Sequence, residues 1–188
     1  MTVWFTSDTH FGHARVIQLC RRPFADVRDM DEALVRAWNE RVQGGDTVWH
    51  VGDFAYGEDS ARIDAIFHRL NGEKHLLIGN HDEENEAVLT LPWVSASSMA
   101  TTDVDGQLVT LCHYPMKTWP RASRGAIHLF GHMHGRLKGT TQSLDVGVDV
   151  WGFRPVGLDE IVRRLSTLSP DPDFQADIED ETGKPARR

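Results

Sequence analysis

Phe130-Gly131-His132-Met133-His134-Gly135 sets two imidazoles one residue apart, where a short apolar run gives way to a glycine-rich turn. Near the other end of the chain, Thr6-Ser7-Asp8-Thr9-His10 does the same with a carboxylate and an imidazole. Between them lie Gly52-Asp53, Gly79-Asn80-His81-Asp82 and the pair Cys112-His113. Each cluster follows a run of apolar, β-branched or aromatic residues that reads as a buried strand. Carboxylate, amide and imidazole donors together suit divalent transition metals. Five such clusters at five strand ends point to one site assembled along one edge of a sheet.

The 188 residues are enough for one domain with a real core. Acidic residues outnumber Lys and Arg by 28 to 20, for a net charge of −8, which argues against long nucleic acid, since phosphate backbones are held by clustered cations. A small phosphorylated substrate held through metal is compatible with that balance. The two cysteines, Cys20 and Cys112, cannot make a disulfide framework, and a reducing compartment is expected. The first residues carry no signal-peptide pattern, and no apolar run reaches the roughly 20 residues of a membrane span. The expectation is a cytoplasmic protein with no membrane partner.

Working outward from the clusters, strands are expected at residues 2–6, 47–51, 75–78, 126–130 and 143–148, with a hairpin at 99–104 and 108–112 around Asp105-Gly106. Helices are expected at 14–20, from 29 to the Gly44-Gly45-Asp46 stop, at 61–70, 83–89 and 158–168. The first half alternates β and α, and the second half reads as richer in antiparallel strands. The predicted fold is α/β: two packed mixed β-sheets flanked by helices, an α/β/β/α sandwich. The domain is placed at residues 1–168. Residues 169–188 carry six acids and three bases with few apolar side chains, and read as a disordered or loosely docked tail.

Asp8-Thr9-His10, Gly52-Asp53, Gly79-Asn80-His81-Asp82, His113 and Gly131-His132-Met133-His134 resemble, in order, the five motifs of the calcineurin-like metallophosphoesterase superfamily. Thr6 to His13 and the stretch Asp149-Val150-Trp151-Gly152-Phe153-Arg154-Pro155-Val156 look like its small bacterial branch. The resemblance implies two divalent metal ions, with Mn²⁺ the first choice and Fe, Zn, Ni, Co and Mg open. It implies Asp8, His10 and His134 on one ion, Asn80, His113 and His132 on the other, and Asp53 bridging. It implies hydrolysis of a phosphodiester, or secondarily a monoester, by a metal-bridging hydroxide. His81 would serve as general acid or transition-state stabiliser, with Asp82 orienting its ring. Two positions depart from the pattern: Tyr56 stands where many members carry an acid, and Cys112 where glycine or serine often precedes the histidine. The alternatives within reach are a nuclease or cyclic-nucleotide phosphodiesterase, and a non-catalytic protein-binding scaffold on the same fold.

Other residues have two readings. His13 either touches the site or caps a helix. Arg22, Lys117 and Arg124 are phosphate contacts or, as expected more often, solvated surface charges. Tyr114 and Trp119 either stack a nucleobase or pack the 114–125 loop onto the body. Cys20 reads as core, and His50, His68, His75 and His128 read as structural. The substrate is expected to be a small phosphorylated molecule, a nucleotide among the candidates; the oligomeric state is not legible.

Overall fold

The structure, a computed structural model, describes residues 1–57 and 59–173. In chain order the elements are β1 (Val3–Thr6), α1 (Ala14–Leu19), α2 (Val27–Asn39), β2 (Thr47–His50), α3 (Ser60–Arg69), β3 (Glu73–Leu77), α4 (Glu86–Leu89) and β4 (Ser95–Ser97). There follow β5 (Met99–Val104), β6 (Gln107–Cys112), β7 (Ile127–Phe130), β8 (Ser143–Asp145), β9 (Val156–Gly157) and α5 (Leu158–Leu165). Short 3-10 turns stand at Ala122–Arg124 and Val148–Val150.

The strands form two mixed sheets, ordered β4-β3-β2-β1-β9 and β5-β6-β7-β8, as the α/β sandwich expectation requires. Side-chain alternation along each strand separates two cores. Leu76 faces the helices with Met30, Leu34, Trp38, Ile63 and Phe67. Its neighbour Leu77 faces the second sheet with Phe5, Val109, Leu111 and Leu129. α5 adds Ile161 and Leu165 to that inter-sheet core. Over the outer face of β6 and β7 lies the loop after His113, seated by Trp119, Ala122 and Ala126.

Local chemistry explains the helices. Asp26 caps α2 by accepting from the amides of Arg28 and Asp29, and Asp59 caps α3 through Arg62 N–H. The α2 face Met30, Leu34, Val35 and Trp38 is buried at helical spacing. This helix starts earlier than expected and stops at Asn39, well before the glycine pair; Val42 packs into the core from beyond its end. The expected helix at 83–89 is one turn, Glu86–Leu89, and the expected strand at 143–148 ends at Asp145.

The pairing of the second half differs from the antiparallel reading. β5 and β6 are an antiparallel hairpin, but β6–β7 and β7–β8 are parallel. Alternation of apolar side chains is the same in either direction, and the long 113–126 connection gives the room that a parallel crossover needs. The consequence for the site is direct. β1, β2 and β3 run parallel, as do β6 and β7, so each sheet delivers its glycine-rich turns at the carboxyl ends of its strands.

No helix among the described residues is long and apolar enough to cross a membrane. Of the expected tail, residues 169–173 are described: Thr141 N–H donates to Ser169 O at 3.2 Å, and Lys117 pairs with Asp171 at 3.0 Å. The remainder of that stretch lies outside the described residues.

Candidate metal centre

The turns after β1 and β2 are stitched together, Asp8 N–H to Gly52 O and His10 N–H to Asp53 O, both at 3.0 Å. Gly131 N–H donates to His113 O at 3.0 Å, which ties the β6 and β7 ends in the same way. Asp8, His10, Asp53, His132 and His134 all adopt positive φ, between 47° and 66°. At about 1–2 kcal/mol each, five left-handed residues cost an amount comparable to a domain's whole net stability. Such strain persists only where surrounding structure dictates it, and it gathers at functional sites.

This backbone brings the seven donors together. Asp8 is wholly buried and Asp53 almost so, with His10 and His113 beside them. Asp8, His10 and His134 form one group, and Asp8, Asp53 and His113 another, with donor atoms within 4.8 Å of each other in each. His134 Nε2 lies 3.7 Å from Asp8 Oδ1, and His10 Nε2 lies 3.5 Å from Asp53 Oδ2. His113 Nε2 lies 3.5 Å from Asp53 Oδ1 and 3.2 Å from Asn80 Oδ1. The Asn80 oxygen is also 2.9 Å from His132 Nδ1. The imidazole–carboxylate separations are too long for good hydrogen bonds. Two ligands each roughly 2.1 Å from one ion stand roughly 3.0–3.4 Å apart, which these separations approach. His10 Nε2 is buried with no hydrogen-bond partner, an orphan that a cation would satisfy. The donor set fits divalent metal.

In the metal-free protein these buried groups shift one another's charge. Burial raises Asp8 to about 7, against the pull of His134 and His113. Burial disfavours charge on His113, but the adjacent Asp53 carboxylate outweighs it and raises the imidazole to about 9. His134 likewise rises to about 10, because its hydrogen bond to Asp149 overcomes burial. Burial pushes Asp53 up, yet its histidine neighbours hold it below the ordinary carboxylate range. In the metal-free protein, imidazolium supplies the positive charge that the buried carboxylates need.

His81 sits at the mouth of the site. Its backbone N–H donates to Asp53 Oδ1 at 2.9 Å, and its ring packs edge-on to His10 at 5.1 Å. A nitrogen of His81 falls within 4.8 Å of donor atoms of His10 and Asp53. With Asn80, Tyr56, Glu83, Glu84 and Glu86 it lines an open cleft. Asp82 does something other than orient the His81 ring. Its Oδ2 accepts from Asp53 and Gly79 amides at 2.7 and 2.9 Å, and its Oδ1 from Phe54 at 3.0 Å. A wholly buried carboxylate takes the nearest unpaired amides, and these belong to the two turns that carry Asp53 and Asn80.

Arg22 is neither a phosphate contact nor a surface charge. It is buried, forks onto Asp149 at 2.9 and 2.8 Å, and donates to the carbonyls of Asp8 and Thr9 at 2.7 and 3.0 Å. Asp149 Oδ2 in turn meets His134 Nδ1 at 2.7 Å. Arg22 and Asp149 thus orient a candidate ligand, a partnership across 127 positions of which only the stretch containing Asp149 gave any sign. Cys20 packs against the first core but also lies with His134 and Asp149. His13 makes no cap bond and instead approaches His10 Nδ1 at 3.4 Å. Trp119 packs, donating to Ala126 O at 2.8 Å. Tyr114 stays half-exposed with its ring 5.0 Å from that of His132. Lys117 is exposed, and Arg124 closes a 3-10 turn. His50 meets Thr9 Oγ1 at 2.9 Å, and His128 is held between Thr110 O and Met116 N–H, as structural histidines.

Comparison with known proteins bears on the same residues. A family model for the calcineurin-like phosphoesterase superfamily domain matches residues 1–148. An uncharacterized protein of Methanocaldococcus jannaschii is 30% identical over 87% of this chain and 90% of its own. The gene 66 protein of Mycobacterium phage D29 is 32% identical over 88% of this chain and 96% of its own. A solved protein of unknown function from Aquifex aeolicus shares the fold, at 20% identity and a TM-score of 0.69, over 87% of this chain and 98% of that one. The matched segment runs from the first strand past His134 and takes in every donor gathered above, so the chain belongs to the calcineurin-like phosphoesterase superfamily.

Proposed function

We propose that the protein is a phosphoric ester hydrolase dependent on two divalent cations. Asp8, His10 and His134 would hold one and Asn80, His113 and His132 the other, with Asp53 placed between the two groups. The observation that carries this reading is the convergence of two buried carboxylates with His10, His113 and His134 at separations suited to common ligands rather than to hydrogen bonds. Cations bound there would neutralise charge on a phosphate and lower the pKa of water from 15.7 toward roughly 7.

The chain's own groups do the rest. Asp53 directs one oxygen toward His10 and the other toward His113, so a single carboxylate joins the two halves. Asp82 clamps the backbone of both turns, and Arg22 through Asp149 holds the ring of His134. His81 faces the cleft, where its imidazole gives a proton to the departing alcohol oxygen. The open cleft with its glutamate rim supports a small substrate over a long polyanion. A phosphodiester is the first choice of substrate, a monoester the second, and Mn²⁺ the first choice of metal.

The test is a screen of metals against substrates, bis-p-nitrophenyl phosphate and nucleotide esters included, with two variants. Asp53→Asn loses both cation uptake and turnover. His81→Ala keeps its cations and loses roughly 10²–10⁴-fold in rate. Wild-type turnover no faster than the metal alone contradicts the reading, and a scaffold role then accounts for the fold.

A further inference from the structure

His10 is 2% exposed, and its Nε2 points between Asp53 Oδ2 at 3.5 Å and Asp8 Oδ1 at 3.9 Å. For Nε2 to take a cation, the ring proton must sit on Nδ1. A buried Nδ1–H then needs an acceptor. What it meets is Nδ1 of His13, 3.4 Å away.

The backbone explains why His13 is there. Phe11 N–H donates to Phe54 O and Tyr56 N–H to Phe11 O, both at 2.9 Å, so the 10–13 turn and the 53–56 segment run side by side. Gly12 allows the approach: its φ is +82°, and a Cβ there would come to 3.0 Å from Tyr56 O. His13 stands at the start of α1, yet its side chain makes no bond to that helix. The ring lies flat on Tyr56, with centroids 4.0 Å apart and planes at 11°. Tyr56 is itself 48% exposed, so the stack is no part of a core.

We propose that His13 is a positioning residue for the metal centre. Its Nδ1 accepts the proton of His10 Nδ1, fixing the tautomer that presents Nε2 to the cation, and Tyr56 holds the His13 ring in place by stacking. The inference rests on the metal-centre reading above, and its test has a part that does not need metal.

The ring nitrogen shifts of His10, read by ¹⁵N NMR in the metal-free protein, report the tautomer; calorimetric titration with Mn²⁺ reports affinity. His13→Phe keeps the stack and removes the acceptor, whereas His13→Gln keeps an acceptor oxygen. The expected result is an Nδ1–H tautomer in the wild type, lost in His13→Phe, together with an affinity for one of the two cations weaker by about 10–100-fold. His13→Gln recovers most of that affinity, and Tyr56→Ala weakens it where Tyr56→Phe does not. Wild-type behaviour of His13→Phe in both measurements overturns the proposal. So does an Nε2–H tautomer in the wild type, even if no Mn²⁺ binds; absence of Mn²⁺ uptake with the Nδ1–H tautomer present overturns the metal-centre reading alone.

Discussion

Two imidazoles of the proposed site carry protons that a bound cation would have to displace. His113 and His134 are raised to about 9 and about 10 in the metal-free protein, by Asp53 and by Asp149 working against burial. At neutral pH both are protonated, and a metal ligand must be neutral imidazole. Cation affinity therefore rises with pH up to that range, by as much as about tenfold per pH unit for each proton displaced. Calorimetry in buffers of different ionisation enthalpy checks this: protons released on Mn²⁺ binding near pH 7 are expected, and binding independent of pH contradicts the assignment. At this scale the convergence of these side chains was legible from their clusters, because residue type and glycine-flanked spacing carry the information. Arg22 and Asp82 were not. A guanidinium three residues past the end of α1 gives no sign in the sequence that Asp149 and two carbonyls bury it. An aspartate next to His81 looks like that ring's partner until the amides of Gly79, Asp53 and Phe54 claim it.

The strand ends deliver the site because the turns beyond them come very close together. Gly52 shows the constraint most plainly. Its φ is +91°, and a Cβ there would collide with the His113 ring and lie 2.9 Å from Gly79 Cα. Gly52→Ala is expected to lose about 2–4 kcal/mol of stability in urea denaturation, through backbone strain and displaced packing together. It should also weaken binding of the cation proposed at His113. A variant as stable as the wild type would mean that the β2 turn is no tight wedge. The buried strands that feed the site were legible as apolar runs between turn residues. β4, with the sequence Ser95-Ala96-Ser97, and the two-residue β9 were not, since edge strands this short owe their conformation to a neighbour rather than to a pattern of their own. The parallel pairing of β6 with β7 was hidden for another reason: alternation fixes which face a residue takes and leaves strand direction free.

Across the whole molecule, two sheets with separate turn clusters meet at one edge, and neither holds the complete donor set. Asp8, His10, Asp53 and Asn80 come from the first sheet, His113, His132 and His134 from the second. The inter-sheet core of Phe5, Leu77, Leu111 and Leu129 keeps the halves in register, each such side chain contributing about 1.5–3 kcal/mol by burial. The order of the motifs made a sandwich of this kind legible, while the way the halves close on one another depends on contacts too distant in sequence to read. Asp8 bridges that junction already, accepting from His132 N–H with both oxygens at 3.1 and 3.0 Å. The most direct test is a crystal grown with Mn²⁺ and measured for anomalous scattering. Two peaks about 3.5–4 Å apart, with the Asp53 carboxylate between them, are the predicted result; a map with no peak among these seven side chains would contradict the account.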